Sequence, residues 1–550
     1  MPTVSAHVAI TLARHVNHVF GVIGNGNAYF LDALERETSA SYTAVRHEGG
    51  AVVAADAFHR AGGGLAAATA TYGAGFTNTL TALAEAVQAR VPLVLVVGHE
   101  PTSGPRPWDV DQIALASAVG ARTYTVGRAD AAATTVIAIE HALSYRVPTV
   151  LAIPYDLASL DAGTVPFVPE PQVGMPLTAT GASATSAVSE AAAALAGADR
   201  PFLLAGRGAW LSGAGEALGA LAEAAGAITA STALGRAIFP DARYDLGVTG
   251  GFGAEAAMAL IHEADVAVVF GASLNQFTMR FGDLFSPGTR VIQVDVAPMA
   301  THAHVGGYIR GDVAAVAHAL VAELDARGAT SSGWRESLDL STIRDRDQGK
   351  PLADDGRLDP RSAAGRIGEL LPPDRVVVSD GGHFIGWANM YWPVASPDRM
   401  MMIGTAFQSI GLGFPSVAGA AMAKPEATIV LTTGDGGGLM ALADLETAVR
   451  VAGGRGLAVV WNDAGYSAEV TLYGLKGLAD GPMRIPEVNF AALATSVGAE
   501  GVIVRELADL DALAEWANRP AAERPFLLLD LRVSESVIAP YQHEIIRVNS

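Results

Sequence analysis

The sequence predicts an α/β protein of three doubly wound parallel-sheet domains, and three observations predict it. Short β-branched or aliphatic runs recur from end to end, Ala-rich stretches of helical period lie between them, and 550 residues is several times a usual single domain of about 100–200. Half of the residues are hydrophobic, 17% are charged and mean hydropathy is +0.30. That is far more apolar side chain than a disordered or fibrous chain carries, so large cores are expected.

In chain order, the runs 91–97, 149–153, 202–204, 266–270, 290–294, 375–378, 428–431, 457–461 and 526–529 read as buried parallel strands. Helical stretches such as 186–196 and 215–225 alternate with them, as βαβ units require. The proline-bearing stretch 165–183 and the polar stretch 331–360 read as linkers. They divide the chain into domains 1–165, 185–330 and 360–550, with no short-period repeat.

Charge and cysteine usage exclude several classes. Thirty-six basic against 56 acidic side chains leave a net charge of −20, so a general role on nucleic acid or an anionic membrane would work against the protein's own field. Cysteine is absent, which removes disulfides, thiolate catalysis and Cys-type metal sites. The first twenty residues, with His7, Arg14, His15 and His18, lack the apolar core of a signal peptide, and no uncharged apolar run approaches the roughly 20 residues of a membrane helix. A cytoplasmic location is expected.

The sharpest local signal is Thr432–Gly438, a Gly-Asp-Gly-Gly-Gly loop between the run 428–431 and the helical stretch 439–451. Glycines there let backbone N–H groups and a helix N-terminus approach a phosphate. Asp435 inside such a loop repels a phosphate unless a divalent cation lies between them, so the loop predicts a metal-bridged diphosphate. One strand later, 457–461 ends in Asn462-Asp463-Ala464-Gly465-Tyr466, a second set of oxygen ligands at a C-terminal strand end, where open α/β sheets bind ligands.

This pair of motifs resembles the cofactor motif of thiamine diphosphate enzymes. Arg46-His47-Glu48-Gly49-Gly50-Ala51, Gly73-Ala74-Gly75-Phe76-Thr77-Asn78, Phe20–Asn25 and Gly411-Leu412-Gly413-Phe414-Pro415 resemble that superfamily in the same order. The layout is similar to the acetolactate synthase, benzaldehyde lyase and benzoylformate decarboxylase group over nearly the whole chain. The resemblance implies thiamine diphosphate and Mg²⁺ or Ca²⁺ as cofactors. It also implies a homodimer or homotetramer, and a small 2-oxo acid, aldehyde or 2-hydroxy ketone as substrate, with a C–C bond cleaved or formed beside the carbonyl.

Residue by residue, the resemblance makes Glu48 the group that hydrogen-bonds the cofactor's pyrimidine, and a carboxyl group set among Gly49, Gly50, Ala51 and Val52 suits proton shuttling. Gly75, Asn78, Gly434, Gly436, Gly437 and Tyr466 line the cofactor. Asp435, Asp463 and the Gly465 carbonyl hold the cation, with Asn462 as the alternative to Asp463. Ile410 props the cofactor into its bent shape, and His383 contacts the diphosphate. On the substrate side, Asn25 offers an amide, Gln112 competes with Trp108 for the place over the thiazolium, and Glu469 is a second carboxyl group able to protonate an intermediate. In the middle domain Gly206-Arg207-Gly208, Gly250–Gly253, Gly271-Ala272 and Asp295 fall at strand ends where FAD could lie, although Leu211 stands where the dinucleotide fingerprint needs its third glycine. The tail 541–544 is a candidate active-site cover. A flavin-using 2-oxo acid oxidase and a non-catalytic cofactor-binding homologue remain the alternatives.

Overall fold

A computed structural model of the chain describes residues 1–174, 176–178 and 182–549, with the backbone alone at 182 and 183. It carries three six-stranded sheets, and every strand pairing in them is parallel. The first sheet holds β1 (His18–Gly21), β2 (Ser41–Ala44), β3 (Ala66–Ala70), β4 (Leu93–His99), β5 (Arg122–Thr125) and β6 (Thr149–Pro154) in the order β2-β1-β3-β4-β6-β5. The second holds β7 (Pro201–Ala205), β8 (Ile228–Ser231), β9 (Asp245–Val248), β10 (Val266–Phe270), β11 (Arg290–Asp295) and β12 (Val305–Arg310) in the order β12-β11-β10-β7-β8-β9. The third holds β13 (Val376–Ser379), β14 (Met400–Met402), β15 (Ile429–Gly434), β16 (Gly456–Asn462), β17 (Glu500–Val504) and β18 (Leu527–Arg532) in the order β14-β13-β15-β16-β18-β17.

The first and third sheets therefore share one strand order, while the middle sheet has the Rossmann order. All nine predicted runs are strands. Most of the strands the sequence hid are short; among them β3 is Ala-rich, β2 and β5 are partly exposed edges, and β1 and β8 are buried runs of only four residues. Two expectations change. The stretch 432–438 is not a loop: β15 runs through Gly434 and the helix Asp435–Met440 begins at the next residue. Nor is 331–360 a free spacer, because Trp334, Leu338, Leu340 and Ile343 pack on the middle domain's core and Leu358 is buried beside Val533 of the third. Within the stretch 165–183, residues 175 and 179–181 lie outside the described ones; the described residues before 179 form no helix or strand.

The first and third domains share one continuous core, built where the helix Glu48–Phe58 crosses the helix Gly413–Ala423. Each follows the second strand of its own sheet. Small residues set the separation: a Cβ on Gly419 would lie 2.0 Å from the Ala54 carbonyl oxygen and 2.8 Å from the Phe58 nitrogen, and one on Gly50 would lie 2.2 Å from an Asp444 carboxylate oxygen. Close by, a buried ion network ties the two domains. Arg60 bonds Asp56 and reaches Glu85 at 3.1 Å, its guanidinium donates to the Met402 carbonyl, and Glu85 accepts from the Phe407 N–H at 2.7 Å.

Overpacking this crossing is expected to be costly. Gly419→Val should lower the thermal midpoint by several degrees, whereas Gly474→Ala, where a Cβ meets open space, should move it little; paired thermal melts check this.

Candidate active site

In sheets ordered like the first and third, the switch point lies between the first and third strands, and ligands sit beyond their C-terminal ends. In the third domain those ends are the segment Asp380–His383 after β13 and Gly434-Asp435 after β15, with Asp463 one strand further on after β16. The cluster is built there. His383 Nε2 lies 3.1 Å from Asp463 Oδ2, which also accepts from the Ser467 hydroxyl at 2.7 Å. Asp435 accepts from its neighbour Gly436 N–H at 2.9 Å and from the Ala464 N–H.

Two carboxylate oxygens in this cluster, Asp435 Oδ2 and Asp463 Oδ1, are buried without a hydrogen-bond partner. Burial, and then the Asp463 charge, push the Asp435 carboxyl up to about 7. Burial works against a charged His383 ring, but the hydrogen bond to Asp463 and the charges of Asp463, Asp435 and Glu469 outweigh it and raise the pKa. Unpartnered hard oxygens beside a like charge are the donor set a divalent cation satisfies. Among the described residues no group of three or more His, Cys, Asp or Glu side chains is gathered as a metal site, so such a cation would need backbone and ligand oxygens as well. The Asn462 N–H groups are spent on the Val488 carbonyl and Asp530, both at 2.9 Å, while its Oδ1 is buried without a partner, as Asp463 Oδ1 is.

The backbone around the cluster packs closely on its own side chains, which is why it is glycine. A Cβ on Gly436 would meet the Tyr466 ring at 2.6 Å, and one on Gly437 would meet Asp380 Oδ2 at 2.7 Å. Ala464 is held at φ +62, between Asp463 and Gly465, and the segment Met483–Ile485 fixes it by bonds to Ala464 and Tyr466. Asp380 is the organiser that sequence reasoning missed. Fully buried, it accepts from Gly411 and Leu412 N–H at 3.2 Å and from the Thr433 hydroxyl at 3.0 Å, which fixes the turn carrying Ile410 against β15. Burial, only partly offset by those bonds, pushes it up to about 6. The one signal available was its place at a strand end beside two glycines.

In the first domain the corresponding strand ends gather the other predicted residues. Glu48 opens its helix half-buried and accepts from Asn78 Nδ2 at 3.0 Å, and a Cβ on Gly75 would lie 3.4 Å from Glu48 Oε1. The expected enclosure is absent from this chain taken alone. Asn25 is exposed, and its neighbour Asn27 shapes the turn, donating to the Val22 carbonyl and the Thr69 hydroxyl and accepting from Gly24 N–H.

Gln112 needs correction as a substrate-facing residue. It is buried with both ends of its amide committed, donating to the Gly98 carbonyl at 3.0 Å and accepting from Gly73 N–H at 2.9 Å, so it braces two loops. Trp108, by contrast, is 63% exposed, near the Arg106 guanidinium that lies over the Tyr72 ring. Glu469 is exposed on the helix Ser467–Gly474, with its charge felt at His383. The middle-domain glycines pack loop on loop: Gly208 N–H donates to the Gly271 carbonyl and Gly206 N–H to the Phe270 carbonyl, so both amides are already spent.

Comparison with known proteins agrees with this architecture. The models of the thiamine pyrophosphate enzyme domains match in order: the N-terminal TPP binding domain over residues 2–117, the central domain over 188–320 and the C-terminal TPP binding domain over 380–529. The chain belongs to the thiamine pyrophosphate-dependent enzymes, in their acetolactate synthase-like group. It is 27% identical over 553 residues to an acetolactate synthase of Mycobacterium avium, covering 96% of this chain and 86% of the relative. It is 26% identical over 546 residues to the acetolactate synthase isozyme 3 large subunit of Escherichia coli (strain K12), covering 95% and 93%. A sulfoacetaldehyde acetyltransferase of Rhodobacter capsulatus is 27% identical over 325 residues, covering 54% of this chain and 55% of its own length. Among the described residues no helix is long and apolar enough to cross a membrane.

The Asp435 carboxyl binds its proton more tightly folded than unfolded, so its contribution to stability is lost as pH rises from the ordinary carboxylate range through about 7. In chelator, Asp435→Asn should therefore raise the thermal midpoint more at pH 8 than at pH 5, where only the first part of that loss has occurred; melts at the two pH values test the sign.

Proposed function

We propose that this chain is a cytoplasmic thiamine diphosphate- and Mg²⁺-dependent carboligase or lyase that acts on a 2-oxo acid or 2-hydroxy ketone, in the manner of an acetolactate synthase. The observation that carries the reading is the pair of unpartnered buried oxygens on Asp435 and Asp463 at the switch point of the third sheet. Asp435, Asp463 and the Gly465 carbonyl would hold the cation, and the glycines 434, 436 and 437 with His383 would take the diphosphate. When bound, the cofactor supplies a nucleophilic carbon and a sink for the electron pair that C–C cleavage leaves behind.

The chain's own residues bind, orient and move protons. Glu48, steadied by Asn78, would hold a proton at the pyrimidine ring, and Ile410 on the turn fixed by Asp380 would press against the cofactor's middle. Asn25 and Glu469 would face the substrate. Glu48 and the cation cluster stand on different domains, and Asn25, Glu469, Ile23 and Trp108 are exposed on a single chain. Closure of the site by a second copy, in a homodimer or homotetramer, supports catalysis away from water.

Thiamine diphosphate with Mg²⁺ should raise the thermal midpoint of the wild type and not that of Asp435→Asn; no response in the wild type would overturn the cofactor assignment. Glu48→Gln should lower kcat in pyruvate carboligation or 2-oxo acid decarboxylation assays by about 10²-fold or more while the fold persists; unchanged turnover would overturn the mechanism.

A further inference from the structure

The last helix, Pro540–Asn549, is anchored through Tyr541, which is 4% exposed. Its ring meets two phenylalanines of the middle domain edge-on, Phe252 at 5.3 Å and Phe277 at 5.8 Å between centroids. A Cβ on residue 386 would come within 2.5 Å of that ring, so Gly386 makes the slot. The hydroxyl donates to the His383 carbonyl and meets the backbone N–H of Gly386, while Gln542 Nε2 donates to it at 3.3 Å.

What Tyr541 grips would otherwise be loosely held. His383 follows Gly381 and Gly382, the latter at φ +139, so the backbone between β13 and the helix Ile385–Tyr391 has more freedom than other residues would give it. The His383 ring must nonetheless stay 3.1 Å from Asp463. A continuous line of contacts runs from Phe252 and Phe277 through Tyr541 to His383 and Asp463.

We propose that Tyr541 is a positioning residue for the cofactor site: it fixes the His383 backbone so that the imidazole faces Asp463, and thereby links cofactor affinity to the seating of the last helix on the middle domain. This rests on the function proposed above, in which His383 and Asp463 serve the diphosphate and its cation.

The test measures binding of thiamine diphosphate by calorimetry at saturating Mg²⁺ on full-length wild type, Tyr541→Phe, His383→Ala and the double variant, beside the ligand-free thermal midpoint of each. Tyr541→Phe keeps the ring and removes one hydrogen bond. Its Kd should rise about fivefold with the ligand-free midpoint within about 2 °C of wild type. If Tyr541 acts through His383, the double variant should bind no more weakly than His383→Ala alone. Wild-type affinity in Tyr541→Phe would overturn the proposal, as would losses that multiply in the double variant or a ligand-free midpoint that falls along with affinity. Wild-type chain that binds no thiamine diphosphate would overturn the proposed function and this proposal with it.

Discussion

The architecture depends on one close approach, the crossing of the helices Glu48–Phe58 and Gly413–Ala423. A glycine at 419 lets backbone meet backbone, and the resulting core runs unbroken from the first sheet to the third. Both helices lead out of strand-end loops that carry candidate site residues, Glu48 on one side and the Ile410 turn on the other. A shift at the crossing would move both together. The buried Arg60–Asp56–Glu85 network reinforces the same junction, because its carboxylates are paired and its remaining donors and acceptors reach backbone of the third domain. Arg207 of the middle domain donates to the Ala89 carbonyl near it, and burial, with Arg60 adding to the effect, brings its pKa down to about 9.

Electrostatics at the third sheet's switch point run the other way. There two carboxylates share a buried site with one histidine, which lies against Asp463, and like charge is crowded while the geometry is settled. Asp380, a third buried carboxylate beneath them, is satisfied by backbone and hydroxyl donors. The contrast separates an acid that organises backbone from acids left with open valence for a ligand.

Much of this was legible in the sequence, for physical reasons. Strands buried on both faces leave unbroken aliphatic runs, so the central strands β4, β10 and β16 stood out, whereas Ala66–Ala70 and the half-exposed Ser41–Ala44 carry no such signature. The meeting of Asp435 with Asp463 was legible because both follow local motifs of glycine and oxygen-bearing residues at neighbouring strand ends. Gln112 and Asn27 were not: whether an amide faces a substrate or spends its bonds on neighbouring backbone depends on loops far apart in sequence. Asp380 was missed for the same reason, its partners lying 31 and 53 residues away. The shared strand order of the first and third sheets leaves no short-period repeat in the sequence.

That shared order has a consequence for how the molecule divides its labour. One architectural plan is used twice, and corresponding positions on it carry different residues: where the first domain opens the helix after its second strand with Glu48, the third has the Ile410 turn ahead of Gly413, and where the first domain's opening strand leads into the Asn25–Asn27 turn, the third's leads into Asp380-Gly381-Gly382-His383. Such divergence on a common scaffold lets either half vary its loops while the scaffold that aligns them stays fixed. On the function proposed above the two halves are complementary, and neither alone holds a complete set of tools.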